Sequence, residues 1–588
     1  MDSKHVTEST SGQEDIQKTW WKEAIIYQIY PRSFQDSDGD GIGDLNGITS
    51  RLDYIQSLGV DIIWLNPIFL SPNDDNGYDI SDYREIMREF GTMEDFDRLL
   101  KEIHKREMRL VLDLVVNHTS DEHPWFEEAR KSRHNPYYNY YHWWPAEKGE
   151  PPLRLSYFDE EGNAWTYNKP TDSYYLHYFS RKQPDLNWEN PEVRQEIFDM
   201  MRFWFDKGID SFRMDSISLI AKDPSFPLID SKKYPDIFSF YAKEPRLHLY
   251  LHEMNRQVLS KYDCMSVGEG SAVMVDDVAK FVDPAREELN MLYHFDAARI
   301  RNTTLPDNPE SGIDYSLIAL KKMFTEWDKA VDKGWPSIYL GNHDQPRMVS
   351  RFGSDKDEFR ALSAKMLITF LLTMRGTPYW FAGDEIGMRN IRFDHIEDYN
   401  DIDTINRYKK AKAEGKDPQA VLDEQKETGR DNARTPFQWD RSPEAGFTAG
   451  TPWLKVNPDY TWINVADEEK DPTSILNYFK KVVSFRKENP SLIYGSYHLL
   501  DAENPQSYTF LRKTGADTYL IMLNFSPKAA ISTPGIDMSN AHVLLDNYGD
   551  RSHMAPQKDI TLRPFEAIVF QLNHPVYESF IDSLDLLE

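Results

Sequence analysis

The segment GIDSFRMDS, residues 208–216, runs from an apolar stretch into Arg213 and Asp215. Residues two apart on a strand share a face, so we expect these two side chains to lie together. An arginine beside an aspartate lowers the pKa of that carboxylate, which would keep Asp215 ionised at neutral pH. Taken alone, the pair also fits a structural ion pair. An ionised carboxylate could instead attack an electrophilic carbon or stabilise a cation, provided that a second, protonated carboxyl group lies nearby.

That second carboxyl group is supplied by Glu269, which follows the apolar segment CMSVG. Burial and an anionic neighbour raise the pKa of a carboxyl group, so Glu269 could hold a proton that Asp215 lacks. Glycosidases place two such groups across the scissile bond, about 5 to 5.5 Å apart when configuration is retained. A third carboxylate, Asp344, could stabilise a cationic transition state or bind sugar hydroxyls. His118 and His343 are suitable hydrogen-bond donors to sugar hydroxyls.

These residues stand at the ends of strand-length apolar segments that alternate with amphipathic helical segments. The eight segments are residues 24–30, 60–66, 109–117, 209–215, 264–270, 289–296, 336–344 and 377–385. Eight βα repeats predict an α/β fold, a (β/α)8 TIM barrel. Because the carboxyl ends of the barrel strands meet at one mouth, we expect the carboxylates and histidines to converge there.

Further domains interrupt and follow the predicted barrel, which spans residues 16–118 and 189–496. The connection after the third strand, residues 119–188, is too long for a simple loop and predicts an inserted domain that overhangs the barrel mouth. Residues 389–428 are charged and predict a helical excursion. From residue 497 to residue 588, strands of period two predict an antiparallel β-sandwich. Residues 1–15 are polar and predict a disordered leader.

Composition narrows the classes of partner. The net charge of −29 argues against nucleic acids and anionic membranes, because both bind through clustered Lys and Arg. A neutral ligand fits better, and the 13% aromatic content suits the apolar faces of sugar rings. Cys264 is the single cysteine, which excludes an intramolecular disulfide and suits a reducing compartment. With no signal peptide or apolar span evident, we expect a cytoplasmic protein, monomeric or weakly homo-oligomeric.

The motifs DLVVNH, FRMDS, GEG and NHD resemble, in that order, four regions that characterise the α-amylase superfamily, glycoside hydrolase family 13. QPDLNW, which begins at Gln183, resembles a fifth region typical of the oligo-1,6-glucosidase and α-glucosidase branch. The resemblance implies that Asp215 is the nucleophile, Glu269 the acid/base and Asp344 the transition-state stabiliser. It also implies retaining exo-hydrolysis of a terminal α-glucose from short, neutral oligosaccharides through a glucosyl-enzyme intermediate.

The same resemblance implies a set of substrate-binding residues. Those expected around the non-reducing glucose are Asp75, Tyr78, His118, Arg213, His343 and Arg430. Phe179 and Gln183 match positions in the inserted domain that border the next sugar. Ser216 follows the nucleophile, where this branch has valine with α-1,6 activity and threonine or a small residue with α-1,4 activity. We therefore expect activity on maltose-like or sucrose-like bonds at least equal to that on isomaltose.

The loop DSDGDGIGD, residues 36–44, spaces its acidic residues two apart between glycines, a pattern that suits a hard cation. A solvated acidic turn would have the same composition. The family resemblance favours a structural Ca²⁺ or Mg²⁺ ion. Its expected ligands are the carboxylates of Asp36, Asp38, Asp40 and Asp44 and the carbonyl of Ile42.

Two alternatives share this fold. A sucrose isomerase typically carries an arginine-rich RLDRD-type loop after the sixth strand, where this chain has FDAARIRNTT and retains only Arg299 and Arg301 of that character. A trehalose-forming mutase is also compatible with the sequence. A catalytically inactive binding subunit is a more remote hypothesis, because such proteins lack the catalytic carboxylates and carry a membrane span.

Overall fold

The computed structural model describes residues 18–158, 163–229, 240, 242–296, 317–515, 517–536, 538–552 and 558–572. The leader predicted for residues 1–15 and the segment with Arg299 and Arg301 lie outside the described residues. Among the described residues, no helix combines the length and the apolar character needed to cross a membrane.

The strands of the described residues, in chain order, are β1 (Ile26–Ile29), β2 (Ile62–Leu65), β3 (Phe69–Leu70), β4 (Asp82–Ile86), β5 (Arg109–Val115), β6 (Trp143–Pro145), β7 (Trp165–Asn168), β8 (Ser173–Leu176), β9 (Ser211–Asp215), β10 (Met265–Gly270), β11 (Met291–His294), β12 (Ser337–Ile338), β13 (Thr377–Phe381), β14 (Ser496–Leu500), β15 (Ser507–Thr514), β16 (Asp517–Asn524), β17 (Ala530–Ser532), β18 (His542–Asp546), β19 (Ile560–Leu562) and β20 (Ala567–Leu572).

The α-helices of five or more described residues are Leu45–Ser50, Leu52–Ser57, Met93–Lys105, Pro124–Ala129, Pro191–Lys207, Arg246–Gln257, Leu317–Ala330, Met348–Phe352, Arg360–Thr373, Ile402–Ala413, Pro418–Thr428 and Ile475–Glu488. Shorter helices cover Trp20–Glu23, Ala279–Val282, Asp431–Arg434, Val465–Glu468 and Ser491–Tyr494.

Eight parallel strands form the central sheet, in the order β11-β10-β9-β5-β2-β1-β13-β12. Each of the eight predicted strand segments contributes one of them, so the TIM-barrel prediction is confirmed. The two end strands approach each other through side chains: Ser337 Oγ donates to the Leu292 carbonyl at 2.7 Å, and the rings of Tyr293 and Tyr339 stack with centroids 3.9 Å apart. The sheet therefore curves into a nearly closed barrel.

Apolar side chains fill both the inside of the barrel and the layer between its strands and helices. Inside, one buried cluster contains Ile26, Trp64, Val111, Val267 and Tyr379. Parallel strands that are apolar on both faces require cover on both sides, which explains why the predicted segments are continuously apolar. A polar residue that faces inward on such a strand therefore needs hydrogen-bond or ion-pair partners, because burial without them is costly.

Sequence signals at both ends of the helix before β9 determine where that strand begins. Asn190 caps the helix Pro191–Lys207 by accepting from the Glu192 backbone N–H, and Pro191 occupies the first helical position. Gly208 ends the helix with φ of 107°, a conformation that suits glycine because it has no side chain. The chain then turns directly into the strand that carries Arg213 and Asp215.

Smaller sheets lie outside the barrel. Within residues 119–188, where an inserted domain is predicted, an antiparallel sheet has the order β6-β8-β7. The C-terminal part contains a five-stranded antiparallel sheet, β14-β15-β16-β20-β18, and the two-stranded sheet β17-β19. The predicted excursion at residues 389–428 contains the helices Ile402–Ala413 and Pro418–Thr428.

Candidate active site

Strand register brings four charged residues together inside the barrel, on two successive levels. Arg213 on β9 lies opposite Asp113 on β5, and on its other side it pairs with Val267 on β10. Asp215 and Glu269 follow two residues further along their strands, so they share the inward face with Arg213 and Val267. The carboxyl ends of β9 and β10 thus deliver the two carboxyl groups to one point.

The guanidinium of Arg213 holds this group together. Its Nη1 donates to Asp215 Oδ1 at 2.8 Å and to Asp113 Oδ1 at 2.7 Å, while Nη2 donates to Glu269 Oε2. The Arg213 side chain is 1% exposed, and Ser271 Oγ donates to Glu269 Oε1 at 2.9 Å. One buried cation therefore contacts both predicted catalytic carboxyl groups and fixes their separation.

Burial controls the protonation of the two carboxyl groups. It raises the pKa of Asp215 to about 6, although Arg213 acts in the opposite direction. Arg213 does lower the pKa of Asp215, as expected, but the net shift is upward because the removal of water outweighs the neighbouring cation. Burial raises the pKa of Glu269 to about 8, with the charges of Asp215 and Asp344 adding to the effect. At neutral pH Asp215 is ionised and Glu269 is protonated.

Asp344 lies in a different electrostatic environment. Its Oδ1 accepts from Arg434 Nη2 at 3.0 Å and from Arg430 Nη1 at 3.3 Å, and its Oδ2 lies 3.1 Å from His343 Nε2. Burial alone would raise the pKa of Asp344, but His343, Arg430 and Arg434 together hold it well below its usual range. Asp344 is therefore a permanent negative charge at the barrel mouth.

The predicted residues Asp75, Arg430, Gln183 and His118 form a connected cluster next to Asp344. Arg430 Nη2 approaches Asp75 Oδ1 at 3.4 Å, and Gln183 Nε2 donates to Asp75 Oδ2 at 3.2 Å. Gln183 Nε2 also lies 3.2 Å from His118 Nε2. Asp401 also forms an ion pair with Arg430, with 2.5 Å between Asp401 Oδ1 and Arg430 Nη2. These contacts join Asp75, Gln183, His118 and Arg430 into one cluster, and Arg430 links that cluster to Asp344.

Aromatic side chains from the inserted segment border the site. The ring of Phe179 lies 5.0 Å from that of His118 and 5.8 Å from that of Phe158, measured between centroids. Phe158 in turn lies under the guanidinium of Arg430, at 4.9 Å. An apolar wall next to polar donors is the arrangement that suits a sugar ring.

Ser216 is buried and has a left-handed backbone conformation, with φ of 43° and ψ of 30°. Few residues other than glycine adopt this region, and β-branched residues are disfavoured there. Its carbonyl accepts from the Leu219 N–H at 2.9 Å at the start of a short 3₁₀ helix. The turn directly after Asp215 is therefore strained, which the sequence did not indicate.

Part of the predicted cation loop is brought together. One carboxylate oxygen from each of Asp36, Asp38 and Asp40 lies within 4.8 Å of the others. The carboxylate of Asp44 instead caps the helix Leu45–Ser50 by accepting from the Gly47 N–H at 2.7 Å, and it also accepts from Ser37. Three hard oxygen donors at this separation fit Ca²⁺ or Mg²⁺. Ile42 lies in the same loop, with its backbone N–H donating to Asp40 at 2.8 Å.

Sequence reasoning missed several residues of the site. Asp113, in the middle of an apolar strand, could have been noticed as a charge where none is expected. Arg434 follows Arg430 by four residues, the spacing that places two side chains on one face of a helix. Gln28 lies inside the first apolar segment, and Asn66 ends the second. Neutral amides among apolar residues give a weak signal.

Comparisons with known proteins identify the relatives of this chain. The model of the α-amylase catalytic domain family matches residues 28–495. The oligo-1,6-glucosidase of Parageobacillus thermoglucosidasius is 51% identical, with 95% of this chain and 100% of the relative covered. That of Bacillus cereus is 49% identical, with the same coverage. The trehalulose synthase MutB from Pseudomonas mesoacidophila MX-45 has a similar structure, with a TM-score of 0.89, 43% identity and coverage of 94% of this chain and 99% of that one.

Proposed function

Since this chain belongs to the α-amylase family of glycoside hydrolases, we propose that it is a retaining, exo-acting α-glucosidase with Asp215, Glu269 and Asp344 as its catalytic residues. Its substrates are short neutral oligosaccharides from which it releases the terminal non-reducing α-glucosyl residue. The observation that carries this proposal is the pair of carboxyl groups on Arg213, one ionised and one protonated at neutral pH.

The two protonation states fit a double displacement. Glu269 donates its proton to the glycosidic oxygen as the bond from C1 to that oxygen breaks, while Asp215 Oδ forms a bond to C1. The alcohol leaves and a glucosyl ester of Asp215 remains. In the second half, the Glu269 carboxylate takes a proton from water, the water oxygen attacks C1, and the ester bond breaks. Two inversions at C1 retain the configuration.

The permanent charge of Asp344 supports the cationic character that develops at the ring between these steps. Arg430 contacts both Asp75 and Asp344, and the family resemblance places Arg430 and Asp75 around the non-reducing glucose, which supports exo action over cleavage within a chain. By the family resemblance we assign His118, Tyr78 and His343 as hydrogen-bond partners of the sugar hydroxyls, and Phe179 and Gln183 as the residues of the inserted segment that border the next sugar.

Linkage choice is the finer part of the proposal. By its small size and hydroxyl group, Ser216 supports cleavage of maltose-like or sucrose-like bonds at least as fast as isomaltose. The similarity to oligo-1,6-glucosidases supports α-1,6 bonds, so both linkages belong in the test. Sucrose isomerisation is the second candidate, because the trehalulose synthase MutB has a closely similar structure.

Product analysis tests the activity directly. Sucrose, maltose, isomaltose and trehalose are each incubated with the wild type and with Asp215→Asn, and the products and the anomer first released are followed by NMR. We expect α-glucose from the wild type and none from the variant. Release of β-glucose would refute retention, trehalulose or isomaltulose from sucrose would favour the isomerase, and no product from any disaccharide would refute the proposal.

We also propose that the loop at residues 36–44 holds a structural Ca²⁺ or Mg²⁺ ion through Asp36, Asp38, Asp40, Asp44 and the Ile42 carbonyl. The proximity of the first three carboxylates supports it. Such an ion would tie the loop together through charge neutralisation, and the reaction steps above do not use it. A cytoplasmic location and a monomeric or weakly homo-oligomeric state remain predictions from the composition.

A further inference from the structure

We infer that Gln28 is a positioning residue that holds His343 as a neutral imidazole with its proton on Nε2. Gln28 lies on β1 and is 1% exposed, and His343 follows β12 and is fully buried. Gln28 Nε2 lies 2.8 Å from His343 Nδ1. The inference deepens the proposed function, on which it rests for its effect on catalysis, but the tautomer itself can be measured without any substrate.

The direction of the hydrogen bonds follows from a carboxylate that can only accept. Asp113, ionised beside Arg213, accepts from the hydroxyl of Tyr78 at 2.9 Å. Tyr78 has a single hydroxyl proton, so its oxygen must accept from its other two neighbours. Those neighbours are Asn66 Nδ2, at 2.8 Å, and His343 Nε2, at 2.7 Å. His343 Nε2 therefore carries a hydrogen.

The amide side chains of Asn66 and Gln28 independently indicate that the other ring nitrogen, His343 Nδ1, carries no hydrogen. Because Asn66 directs its amide nitrogen towards Tyr78 and Asp113, its oxygen Oδ1 faces Gln28 and accepts from Gln28 Nε2 at 2.9 Å. The same Gln28 nitrogen faces His343 Nδ1. A nitrogen that donates to His343 Nδ1 requires that atom to be the unprotonated acceptor. The two paths begin at Asp113 and meet on one imidazole.

The network also opposes the imidazolium form. A proton on His343 Nδ1 would require Gln28 to turn its oxygen towards the ring, which would place that oxygen against Asn66 Oδ1. Burial acts in the same direction and lowers the pKa of His343 to about 3. The titratable and charged groups that face the ring or act on it are Tyr30, Tyr78, Asp344, Arg434, Arg213 and Arg430.

The consequence lies at the catalytic end of the ring. His343 Nε2 is 3.1 Å from Asp344 Oδ2, so its hydrogen points between Tyr78 and Asp344. A neutral donor there leaves the negative charge of Asp344 available to the sugar, whereas an imidazolium would neutralise it. The opposite tautomer would turn a lone pair towards a carboxylate. Gln28 thereby controls the electrostatics of Asp344 without touching the substrate.

The substitution Gln28→Glu reverses the hydrogen bond with almost no change in shape, because a carboxylate accepts and cannot donate. NMR of the intact protein with ¹⁵N-labelled histidine reads the protonation of both ring nitrogens, and His343→Gln assigns the His343 signals. For the wild type we expect the proton on Nε2 alone throughout the neutral pH range. For Gln28→Glu we expect a protonated Nδ1 and a fall in kcat/KM of about 10- to 100-fold, as for residues that orient metal-bound histidines.

Gln425→Glu is the matched control. Gln425 is 2% exposed, lies on the helix Pro418–Thr428, and accepts from Thr404 Oγ1 through its side-chain oxygen, which glutamate retains. We expect the Gln425→Glu variant to have the same His343 signals and the same kcat/KM as the wild type. Should Gln28→Glu fail to fold, Gln28→Met removes the donor without adding charge and should give a mixture of tautomers.

A wild-type His343 with its proton on Nδ1, or the same His343 signals in the wild type and in Gln28→Glu, would overturn the inference. A folded Gln28→Glu with protonated Nδ1 and wild-type kcat/KM would remove its role in catalysis. Failure of the proposed function can be distinguished from failure of this inference. A wild-type protein that is inactive on every disaccharide would still show the His343 tautomer.

Discussion

Asp113 and Arg213 form an ion pair that is closed to solvent, with 2.7 Å between Asp113 Oδ1 and Arg213 Nη1. On β9, Arg213 precedes Asp215 by two residues, so the pair lies beneath the two carboxyl groups that we propose as nucleophile and acid/base. A buried arginine requires its negative partners, because an unpaired charge in the protein interior is costly. Asp113 therefore contributes to the stability of the barrel and to the charge balance of the site.

Removing the charge of Asp113 should change both properties. In Asp113→Asn the amide oxygen still accepts from Arg213, so we expect a loss of about 1 to 3 kcal/mol in the free energy of unfolding, measured with urea. The charge of Asp113 raises the pKa of Asp215, so its loss should move the acid limb of kcat/KM to lower pH. Asp53→Asn, at a side chain 85% exposed, is the control and should change neither. An acid limb that stays in place would contradict this coupling.

The pH dependence of the wild type follows from Asp215 and Glu269. Asp215 must be ionised to attack, so kcat/KM should fall as the pH drops through about 6. Glu269 must be protonated to assist the leaving group, so kcat/KM should also fall as the pH rises through about 8. Initial rates on maltose and isomaltose give this bell-shaped profile, whose limbs belong to the coupled pair.

The alkaline limb can be assigned with Glu269→Gln and an aryl α-glucoside whose leaving group needs no proton. Residual activity of this variant should keep the acid limb and lose the alkaline one. A profile that retains both limbs would assign the alkaline limb to another group.

Arg434, which the sequence reasoning missed, should contribute through its fork of donors. Arg434 Nη2 donates to Asp344 at 3.0 Å while Nε donates to the His343 carbonyl at 2.9 Å. Lysine keeps the charge but cannot make both bonds in one plane. We expect Arg434→Lys to lower kcat by about tenfold, or roughly 1.4 kcal/mol of barrier. Arg441→Lys, at a side chain 68% exposed, is the control, and equal kcat values for the two variants would refute the proposal.

Ser216 is where linkage preference should be tested. Replacing it with valine should raise the isomaltose-to-maltose ratio of kcat/KM by about 10-fold or more, since a single methylene group in a pocket changes discrimination by 10- to 200-fold. Ser216→Thr is the matched control, because threonine is equally β-branched and bears the same backbone strain at φ of 43°. If both variants shift the ratio equally, strain rather than pocket shape is the cause.

Metal removal should affect stability and leave chemistry unchanged. A bound ion at a concentration 100 times its dissociation constant stabilises the folded state by about 2.7 kcal/mol. We therefore expect a chelator to lower Tm, and Asp38→Asn with Asp40→Asn to abolish that response, while kcat/KM at moderate temperature stays unchanged. Metal analysis after dialysis without chelator should find one ion per chain. A metal-free protein with unchanged Tm would refute the site.

Much of the fold was readable from the sequence for a simple reason. Parallel barrel strands are buried on both faces, so segments such as residues 109–117 stand out as continuous apolar runs. Their carboxyl ends share one mouth, so Asp215, Glu269 and Asp344 could be expected together before any distance was known. The cap at Asn190 likewise depends only on neighbours in the chain, since its side chain accepts from the Glu192 N–H.

The tertiary structure alone decided what these groups face and how they titrate. The pKa of Asp215 rises because the folded barrel excludes water around it, and no local motif contains that information. The tertiary structure also adds that the carboxylate of Asp44 caps the helix Leu45–Ser50. Gln28 and Asn66 acquire their roles only when the barrel brings β1, the end of β2 and the segment after β12 together. The sequence determined which groups are present at the mouth, whereas the closure of the barrel determined their partners, because hydrogen-bond direction and burial depend on residues that are distant in the chain.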